Sequence, residues 1–399
     1  MTSYLIRRVF QMTFVLFFSA IASYALLNFA PGGPLQFLTE IQQSGRMRIT
    51  ADDVARIRAY FELDLILPVR FTRWLIGLPN GPLALGGQEY LGDLVVGCRK
   101  PIEEQVTGAD GRTATEVTGC EEEVTLASLK GRRTSRGVLF GDFGLSWQML
   151  RDRPVSTLIK TRFPRTLQLM SAAYALSLLV GLPLGIYSAV RQYSRFDYVF
   201  TSLSFIGQSM PTFFFGILMI LFFGVFLHGV GWPYLPVGNA VGIKDYVIPL
   251  VGKIDAGSLT DNLLRMIMPV AVLAMVNVAG WSRYVRASML EVMRQDYVRT
   301  ARAKGLIEQV VIMRHALRNA LIPFLTIVVF AIPAMFGGAI ITETVFNWPG
   351  MGRLYIDALG RYDYPVAMAL LFITAVLTVF ATLLRDVLYT VVDPRIRLT

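Results

Sequence analysis

The 399-residue chain is 54% hydrophobic and only 17% charged, and its apolar residues form long runs separated by charged stretches. Soluble domains contain about 25% charged residues, so this pattern favours a membrane protein. The formal charge of +10 suits basic loops that orient a membrane protein. It does not favour nucleic-acid binding, because no basic stripe with interleaved aromatic residues stands apart from the apolar runs.

Motifs for cofactor or metal chemistry are missing from the sequence. Two cysteines and two histidines are too few for a recognisable zinc site. The sequence has no G-x-x-x-x-G-K-[ST], H-E-x-x-H or G-x-S-x-G motif. We therefore expect no catalytic, cofactor or metal site in this chain, and no ATPase site of its own.

Six segments are long enough to cross a bilayer, which takes about 20 mostly apolar residues. They run from about Val9 to Ala30, Leu167 to Val190, Val199 to Leu227, Ile267 to Trp281, Leu321 to Ile341 and Val366 to Val391. The fourth is the shortest. The first is longer than the apolar stretch of a signal peptide and lacks a small-residue cleavage site, so we expect it to be retained.

The distribution of arginine and lysine predicts the orientation of these segments. The segments that would lie inside are basic for their length, with Arg7, Arg8, Arg191, Arg195, eight basic residues between 283 and 318, Arg395 and Arg397. The positive-inside tendency therefore predicts that both termini are cytoplasmic. The long segment 31–165 would lie outside, since long external segments are translocated largely regardless of charge.

This topology predicts an all-α polytopic membrane protein in three parts. An N-terminal transmembrane helix (1–30) is followed by an extracytoplasmic segment (31–165) and a five-helix core (166–399). The core contains a cytoplasmic loop at about 283–320. A loop of this length is usually functional.

The cytoplasmic loop has an apolar stripe typical of short amphipathic helices. The stripe consists of Val298, Ala301, Leu306, Val310, Met313 and Leu317. Ala301, Ala303 and Gly305 carry almost no side-chain bulk, so another surface could approach the backbone closely. The residues alone leave two interpretations open: a helix lying on the inner leaflet, or a docking element for a soluble partner.

Several segments together resemble one family. Tyr297 to Gly305 and His315 to Pro323 resemble the cytoplasmic loop of binding-protein-dependent ABC importer permeases, and more narrowly the B-type (OppB/DppB-like) subunit of the dipeptide/oligopeptide/nickel permease family. Where the general motif begins Glu-Ala-Ala, this chain has Arg299-Thr300-Ala301, and Gly305 keeps the family spacing. Further similar segments follow in the family's order: Pro31 to Pro34, Leu63-Asp64, Gly141 to Ser146, Thr342 to Gly352, Asp363 to Pro365, and Asp393 to Arg397.

The resemblance implies the fold of a type I ABC importer permease and a role as half of a translocation pathway for dipeptides or oligopeptides in a bacterial inner membrane. It implies four further partners: a second homologous permease, two cytoplasmic ATPase subunits that bind ATP and Mg, and an extracytoplasmic substrate-binding protein. The residues that would contact an ATPase subunit are Arg299, Thr300, Ala301, Ala303, Lys304, Gly305, Leu306 and His315.

Other functions fit the sequence less well. The same family also includes importers of nickel chelates and oligosaccharides. An ion-coupled secondary transporter is disfavoured by the scarcity of ionisable residues in the spans. A membrane-embedded enzyme would need a nucleophile, acid or metal-ligand set at membrane depth, and a scaffold protein would not need the ordered motifs. The neutral polar residues and the proline inside the spans could line the pathway or pack helices together; they are Gln208, Ser209, Pro211 and Asn277.

The segment from about 79 to 138 does not resemble the family. Short runs such as Leu94 to Val96 favour β-strands, and Gly108 to Gly111 favours a turn between them. Such a hairpin would bring Cys98 and Cys120 together on the outside, where disulfides persist. We therefore predict a small β-rich insert closed by a Cys98–Cys120 disulfide. It could contact the binding protein, cover the pathway mouth, or be neutral.

Overall fold

The computed structural model of the chain describes residues 2–29, 50–107, 113–132, 135–337 and 339–392. Three predictions concern residues outside these ranges: the similarity at Pro31 to Pro34, the turn at Gly108 to Gly111 and the similarity at Asp393 to Arg397. The chain forms two units. One contains Met1–Leu16, Lys160–Asp357 and Ile373–Thr399, and the other contains Phe17–Ile159 and Ala358–Phe372.

The described residues contain six helical segments long and apolar enough to cross a membrane, which confirms the predicted fold class. They are Ile6–Phe29, Val155–Val190, Thr212–Gly229, Leu259–Val292, Glu308–Ile332 and Tyr364–Leu384. The corresponding long helices are α1 (Thr2–Phe29), α4 (Val155–Val190), α6 (Thr212–Met219, continued as a π-helix over Ile220–Phe226), α7 (Leu259–Val292), α9 (Leu317–Gly337) and α12 (Tyr364–Val392).

The boundaries predicted for the third and fourth spans were wrong. The predicted third span is divided into α5 (Arg195–Ser209) and α6, because Met210 before Pro211 is extended (ψ 126°). A residue that precedes proline disfavours helical dihedrals. The fourth span is a 34-residue helix and not the shortest segment. Its polar ends are helical although the hydropathy pattern marks only the apolar middle.

Helix α7 forms the centre of the larger unit. Trp281, Val285 and Met289 are buried on one side of it, in a cluster with Ala316, Ala320 and Phe324. The ring of Tyr174 on α4 stacks on Trp281 at 5.7 Å. The two helices approach closely at Gly185, where an added Cβ would lie 2.5 Å from the Ser282 carbonyl oxygen. A glycine is therefore needed where α4 crosses α7.

The second unit contains the β-rich insert. Helices α2 (Ala51–Tyr60) and α3 (Leu67–Ile76) precede two antiparallel hairpins, and the strands are β1 (Leu83–Leu85), β2 (Gln88–Tyr90), β3 (Val95–Thr107) and β4 (Thr113–Thr125). Leu65, Val96, Val124, Leu126 and Leu129 form its small apolar core. The strands are longer than the sequence predicts, because pairing over 13 residues extends beyond the apolar runs.

The predicted disulfide is present and joins Cys98 of β3 to Cys120 of β4, with the Cα atoms 6.0 Å apart. Next to it, Gly97 lies against the backbone of Asp64, and an added Cβ would be 1.9 Å from the Asp64 carbonyl oxygen. That oxygen accepts a 2.7 Å hydrogen bond from the Cys98 amide. The insert is thus bonded to the segment that precedes α3.

Shorter elements complete the larger unit. A hairpin of β5 (Tyr246–Ile248) and β6 (Gly252–Ile254) precedes α7, and α8 (Asp296–Ala303) follows it. Residues Glu308–Val310 and a π-helix over Val311–Ala316 lead into α9. Helices α10 (Ile340–Val345) and α11 (Met351–Gly360) lie between α9 and α12.

Candidate coupling site

Helix α8 is amphipathic, as the apolar stripe predicts. Val298 and Ala301 are buried against Val311 of the following π-helix. This side of α8 therefore packs within the loop itself. The contact holds α8 against the π-helix that leads into α9. Ala301, one of the predicted coupling residues, is 6% exposed and belongs to this internal contact; its contact with an ATPase subunit stays a prediction.

The end of α8 presents a small, open surface. Ala303, Lys304, Gly305 and Leu306 are all exposed. Gly305 ends the helix with φ +75°, and a Cβ added there would meet no atom within 4 Å. The left-handed backbone at this position favours glycine, and no described residue of this chain occupies the space above it.

The other predicted coupling residues lie around this surface. Arg299 has a 71% exposed side chain and is within 3.7 Å of the Asp296 carboxylate. Thr300 donates from its hydroxyl to the carbonyl of Asp296 at 2.9 Å. His315 is half-buried in the π-helix, and its carbonyl oxygen accepts a 3.1 Å bond from Asn319. Arg299 and Thr300 thus share α8 with Ala301 and Ala303, while His315 lies on the next element.

One ion pair holds the loop closed after Gly305. The Arg302 guanidinium donates to both carboxylate oxygens of Glu308, at 3.1 and 2.7 Å. Both side chains are about half exposed, so the pair is worth less than about 1 kcal/mol. Its effect is geometric, because it connects the end of α8 to the start of the helix that continues as α9.

A buried carboxylate connects α5 to α7, the helix that precedes α8. Asp197 of α5 is 3% exposed and accepts two bonds from the Arg286 guanidinium of α7, at 3.0 and 2.9 Å. The Ser188 hydroxyl and the Tyr193 amide also donate to it. Burial acts to raise the pKa of Asp197, but these hydrogen bonds lower it below its usual value. Arg286 lies ten residues before α8.

Two of the four predicted pathway residues donate hydrogen bonds within their own helices. The Ser209 hydroxyl donates to the Phe205 carbonyl at 2.8 Å, and the Asn277 amide donates to the Leu273 carbonyl at 3.1 Å. Gln208, Ser209 and Pro211 are exposed at the break between α5 and α6, and Asn277 is half-buried in α7. Their neighbour Gly207 is buried and packs on Met275 of α7. Their role in a pathway stays a prediction.

A second buried carboxylate organises the segment after α9. Glu343 of α10 is fully buried and accepts hydrogen bonds from the Thr166 hydroxyl at 2.8 Å and the Arg353 amide at 2.9 Å. Burial raises the pKa of Glu343. A Cβ on Gly350 would lie 2.3 Å from this carboxylate, so glycine is required there. The Trp348 indole donates to the Arg165 carbonyl at 3.0 Å.

Comparison with known proteins decides the family. Residues 181–398 match the model of the "Binding-protein-dependent transport system inner membrane component" family. This chain belongs to that family. The matched region of this transport component contains the loop around α8, the Asp197–Arg286 pair and Glu343, while the β-rich insert lies outside it.

The alignments with individual members of the family cover most of the length of those proteins. The chain is 43% identical over 256 residues to the oligopeptide transport system permease protein AppB of Bacillus subtilis (64% of this chain, 76% of that protein). It is 40% identical over 272 residues to the dipeptide transport system permease protein DppB of Escherichia coli K12 (65% and 78%). The di/tripeptide transport system permease protein DppB of Pseudomonas aeruginosa is 40% identical over 245 residues (59% and 71%).

Among solved structures, an amino acid ABC transporter crystallised with histidines superposes on 60% of this transport component and 95% of that chain. Its TM-score is 0.42 and the sequence identity is 16%.

The sequence analysis did not identify the two buried carboxylates that connect separate segments of this chain. Asp197 and Glu343 each accept hydrogen bonds from two or more other segments. An acidic residue in a chain with few acids near its membrane helices is the signal that could have found them. Their partners could not have been found in this way, because Arg286 lies 89 positions from Asp197.

Proposed function

We propose that this chain is one of the two permease subunits of an ATP-driven importer for dipeptides or oligopeptides. The observation that carries the proposal is the naming of the relatives at 40% identity or more as oligopeptide and dipeptide permeases. The transported solute would be delivered by an extracytoplasmic binding protein. ATP and Mg would be bound by two cytoplasmic ATPase subunits, so this chain would act as a transport subunit and not as an enzyme.

A second permease subunit has a surface to bind. Only 6% of the third span is buried within this chain, against 39% of the sixth. Its exposed side chains are mostly large and apolar, including Phe213, Phe214, Leu221, Phe222 and Phe226. Lipid can cover part of this surface. Because so little of the third span is buried within this chain, one chain does not enclose a pathway alone. A homologous subunit that packed on the rest of this surface would complete the enclosure.

The loop around α8 supports coupling to an ATPase. Its inner side is packed on Val311, so α8 and the base of α9 can move together. Its outer side has exposed Leu306 and the open space above Gly305. An ATPase surface that docked there could transmit its closure to α9 directly, and through α7 to the Arg286–Asp197 pair.

The proposed location is the inner membrane of a bacterium, with both termini and the α8 loop in the cytoplasm and the β-rich insert outside. The basic residues of the loop support this orientation. The disulfide supports an external position for the insert, because disulfides persist outside the reducing cytoplasm.

Reconstitution tests the proposal. The chain is co-purified with a second permease, two ATPase subunits and a binding protein, and inserted into proteoliposomes. We expect uptake of a radiolabelled dipeptide or oligopeptide that requires ATP and the binding protein and that persists when ionophores remove ion gradients. Uptake abolished by ionophores would favour a secondary transporter, and uptake of nickel chelates or oligosaccharides without peptide uptake would contradict the proposed substrate.

A further inference from the structure

The helix that begins at Glu308 does not continue into α9 with regular α-helical geometry. Residues Val311–Ala316 form a π-helix, and the amide of Leu317 donates to the carbonyl oxygen of Ile312, five residues earlier. In an α-helix the acceptor lies four residues earlier. We call the segment Val311–Ala316 the π turn. Single π turns inside helices are rare and are often found at functional sites.

The two ends of the π turn pack on different elements. Val311 is fully buried against Val298 and Ala301 of α8. Ala316 is fully buried in the cluster on α7 that contains Trp281. A separate contact therefore fixes each end, and the turn between them has to satisfy both contacts at once.

The π geometry allows both contacts to form. Val311 and Ala316 are five positions apart, and residues at this spacing lie near the same side of a π-helix because its hydrogen bonds join residues five apart. In an α-helix the residues on one side are three or four positions apart, and each further position adds a rotation of about 100°. Conversion of the π turn to an α-helix would therefore rotate Val311 by about 100° relative to Ala316.

Helix α8 and the residues just before the π turn form one body. The packing at Val311 joins them, and so does the Arg302 guanidinium, which donates to both carboxylate oxygens of Glu308 at 3.1 and 2.7 Å. On its other side, α8 is connected to α7 by the short turn of residues 293–295. A rotation of this body relative to α7 and α9 is therefore absorbed by that short turn and by the π turn.

We propose that the π turn is a conformational switch that converts to an α-helix when an ATPase subunit rotates α8. This inference rests on the proposed function of the chain as a permease coupled to an ATPase. Val311 would stay packed on α8 and Ala316 would stay in the α7 cluster, while the turn between them changes its hydrogen bonds from five-residue to four-residue spacing. Both buried contacts then persist in both states. Docking at the cytoplasmic surface is thereby converted into a rotation of about 100° between α8 and the membrane-spanning helix α9.

Deletion of Met313, whose side chain is 55% exposed, tests the switch. It leaves Val311 and Ala316 four positions apart, so an α-helix can keep both buried contacts and no π turn is left to convert. In proteoliposomes with the second permease, the ATPase subunits and the binding protein, we expect ATP hydrolysis at the unstimulated wild-type rate. Stimulation by the dipeptide-loaded binding protein, and dipeptide uptake, should be lost. Met313→Ala removes most of the same side chain but keeps the π turn, and should be stimulated as the wild type is.

Spin labels measure the rotation without the deletion. Nitroxides at Gln309→Cys and Arg318→Cys, two exposed positions on either side of the π turn, report their separation by pulsed electron spin resonance. We expect it to change by several ångström between the resting and the vanadate-trapped transporter, and to stay constant in the Met313 deletion variant.

Two results would overturn the switch: an unchanged separation in the transporter with the full-length loop, or stimulated hydrolysis in the deletion variant. Failure of the proposed function has a different signature, because the wild-type transporter itself would then show no ATP-dependent dipeptide uptake.

Discussion

The carboxylate of Asp363 accepts a 2.5 Å hydrogen bond from the hydroxyl of Ser146, although the two residues are 217 positions apart. The same fully buried carboxylate accepts from the backbone amides of Trp147, Gln148 and Met149, at 2.9 to 3.0 Å. A single side chain at the start of α12 therefore holds the turn that leads into α4.

Replacing Asp363 tests this anchor. Asp363→Asn should lower the free energy of unfolding by about 2 kcal/mol, because an amide NH₂ cannot accept from the Trp147 amide and leaves a buried donor unpaired. Thermal unfolding of the detergent-solubilised chain, followed by tryptophan fluorescence, measures the change. Asp255→Asn removes a carboxylate that is 73% exposed and should change stability by less than about 0.5 kcal/mol. Equal effects of the two variants would refute the anchor.

Gly305 tests the coupling surface. Gly305→Asn keeps a residue that tolerates positive φ, so the chain should fold, but its side chain would occupy the space proposed for an ATPase subunit. We expect ATP hydrolysis by the assembled transporter to lose its stimulation by substrate. Gly231→Asn is the matched control, since Gly231 has φ +73° and equally open surroundings. Stimulated hydrolysis in the Gly305 variant would remove this residue from the docking surface.

The orientation is tested with engineered cysteines. The variant Gln192→Cys places a cysteine in the turn between α4 and α5. The variant Ile243→Cys places one in the exposed segment before β5. A membrane-impermeant maleimide applied to intact cells should label position 243 and leave position 192 unlabelled. The native cysteines form a disulfide and should not react. Labelling of position 192 from outside would reverse the predicted topology.

The disulfide is expected to stabilise the insert. Its closed loop spans 22 positions, which corresponds to about 3 kcal/mol in the chain-entropy model. The double variant Cys98→Ser, Cys120→Ser should unfold at a lower temperature than the wild type, and a reductant should lower the wild-type value to that of the variant. Intact-mass analysis after alkylation without reduction should show no added label. Two alkylated cysteines would contradict the bond.

The Asp197–Arg286 pair predicts a pH dependence. Asp197→Asn should destabilise the chain by about 2 kcal/mol at pH 7, because it leaves Arg286 without its carboxylate. The pKa of Asp197 is lowered in the folded state. Its stabilising effect is therefore present above the unfolded pKa of about 3.9 and is lost as the pH falls through the lower folded value. Unfolding midpoints of wild type and variant should converge below about pH 4. A difference that stays constant there would exclude the carboxylate as its source.

In the same chain, the contribution of the Glu343 carboxylate to stability depends on pH in the opposite sense to that of Asp197. Its raised pKa means that folding favours the protonated form, so its ionisation destabilises the folded chain as the pH rises from the unfolded value through the folded one. Asp197 differs because a guanidinium neutralises it, whereas the donors to Glu343 among the described residues are a hydroxyl and backbone amides.

The amino-acid sequence alone determined the six spans, the basic loop and the pairing of two cysteines across a hairpin. Each of these depends on local properties: the length of an apolar run, the charge of a short loop, or the separation of two strands around a turn. The restriction that Pro211 imposes on Met210 is equally local, but the continuous apolar run from Val199 to Leu227 led to a single predicted span, so the helix break there was missed.

Only the tertiary structure decided which residues of these segments act together. The apolar stripe contains Ala301 and not Ala303, but the sequence could not decide whether that stripe packs inside the chain or on a partner; in the fold, Ala301 packs on Val311 and is buried, and Ala303 is exposed. It also understated α7, whose ends are polar by composition but helical in the fold. There, Arg286 pairs with Asp197 of α5, while the buried Asp261 is neutralised by Arg265 of its own helix and accepts a hydrogen bond from Tyr246 of β5. A buried charge is stable only when it is paired or hydrogen-bonded, and local sequence cannot identify a partner that lies 89 positions away.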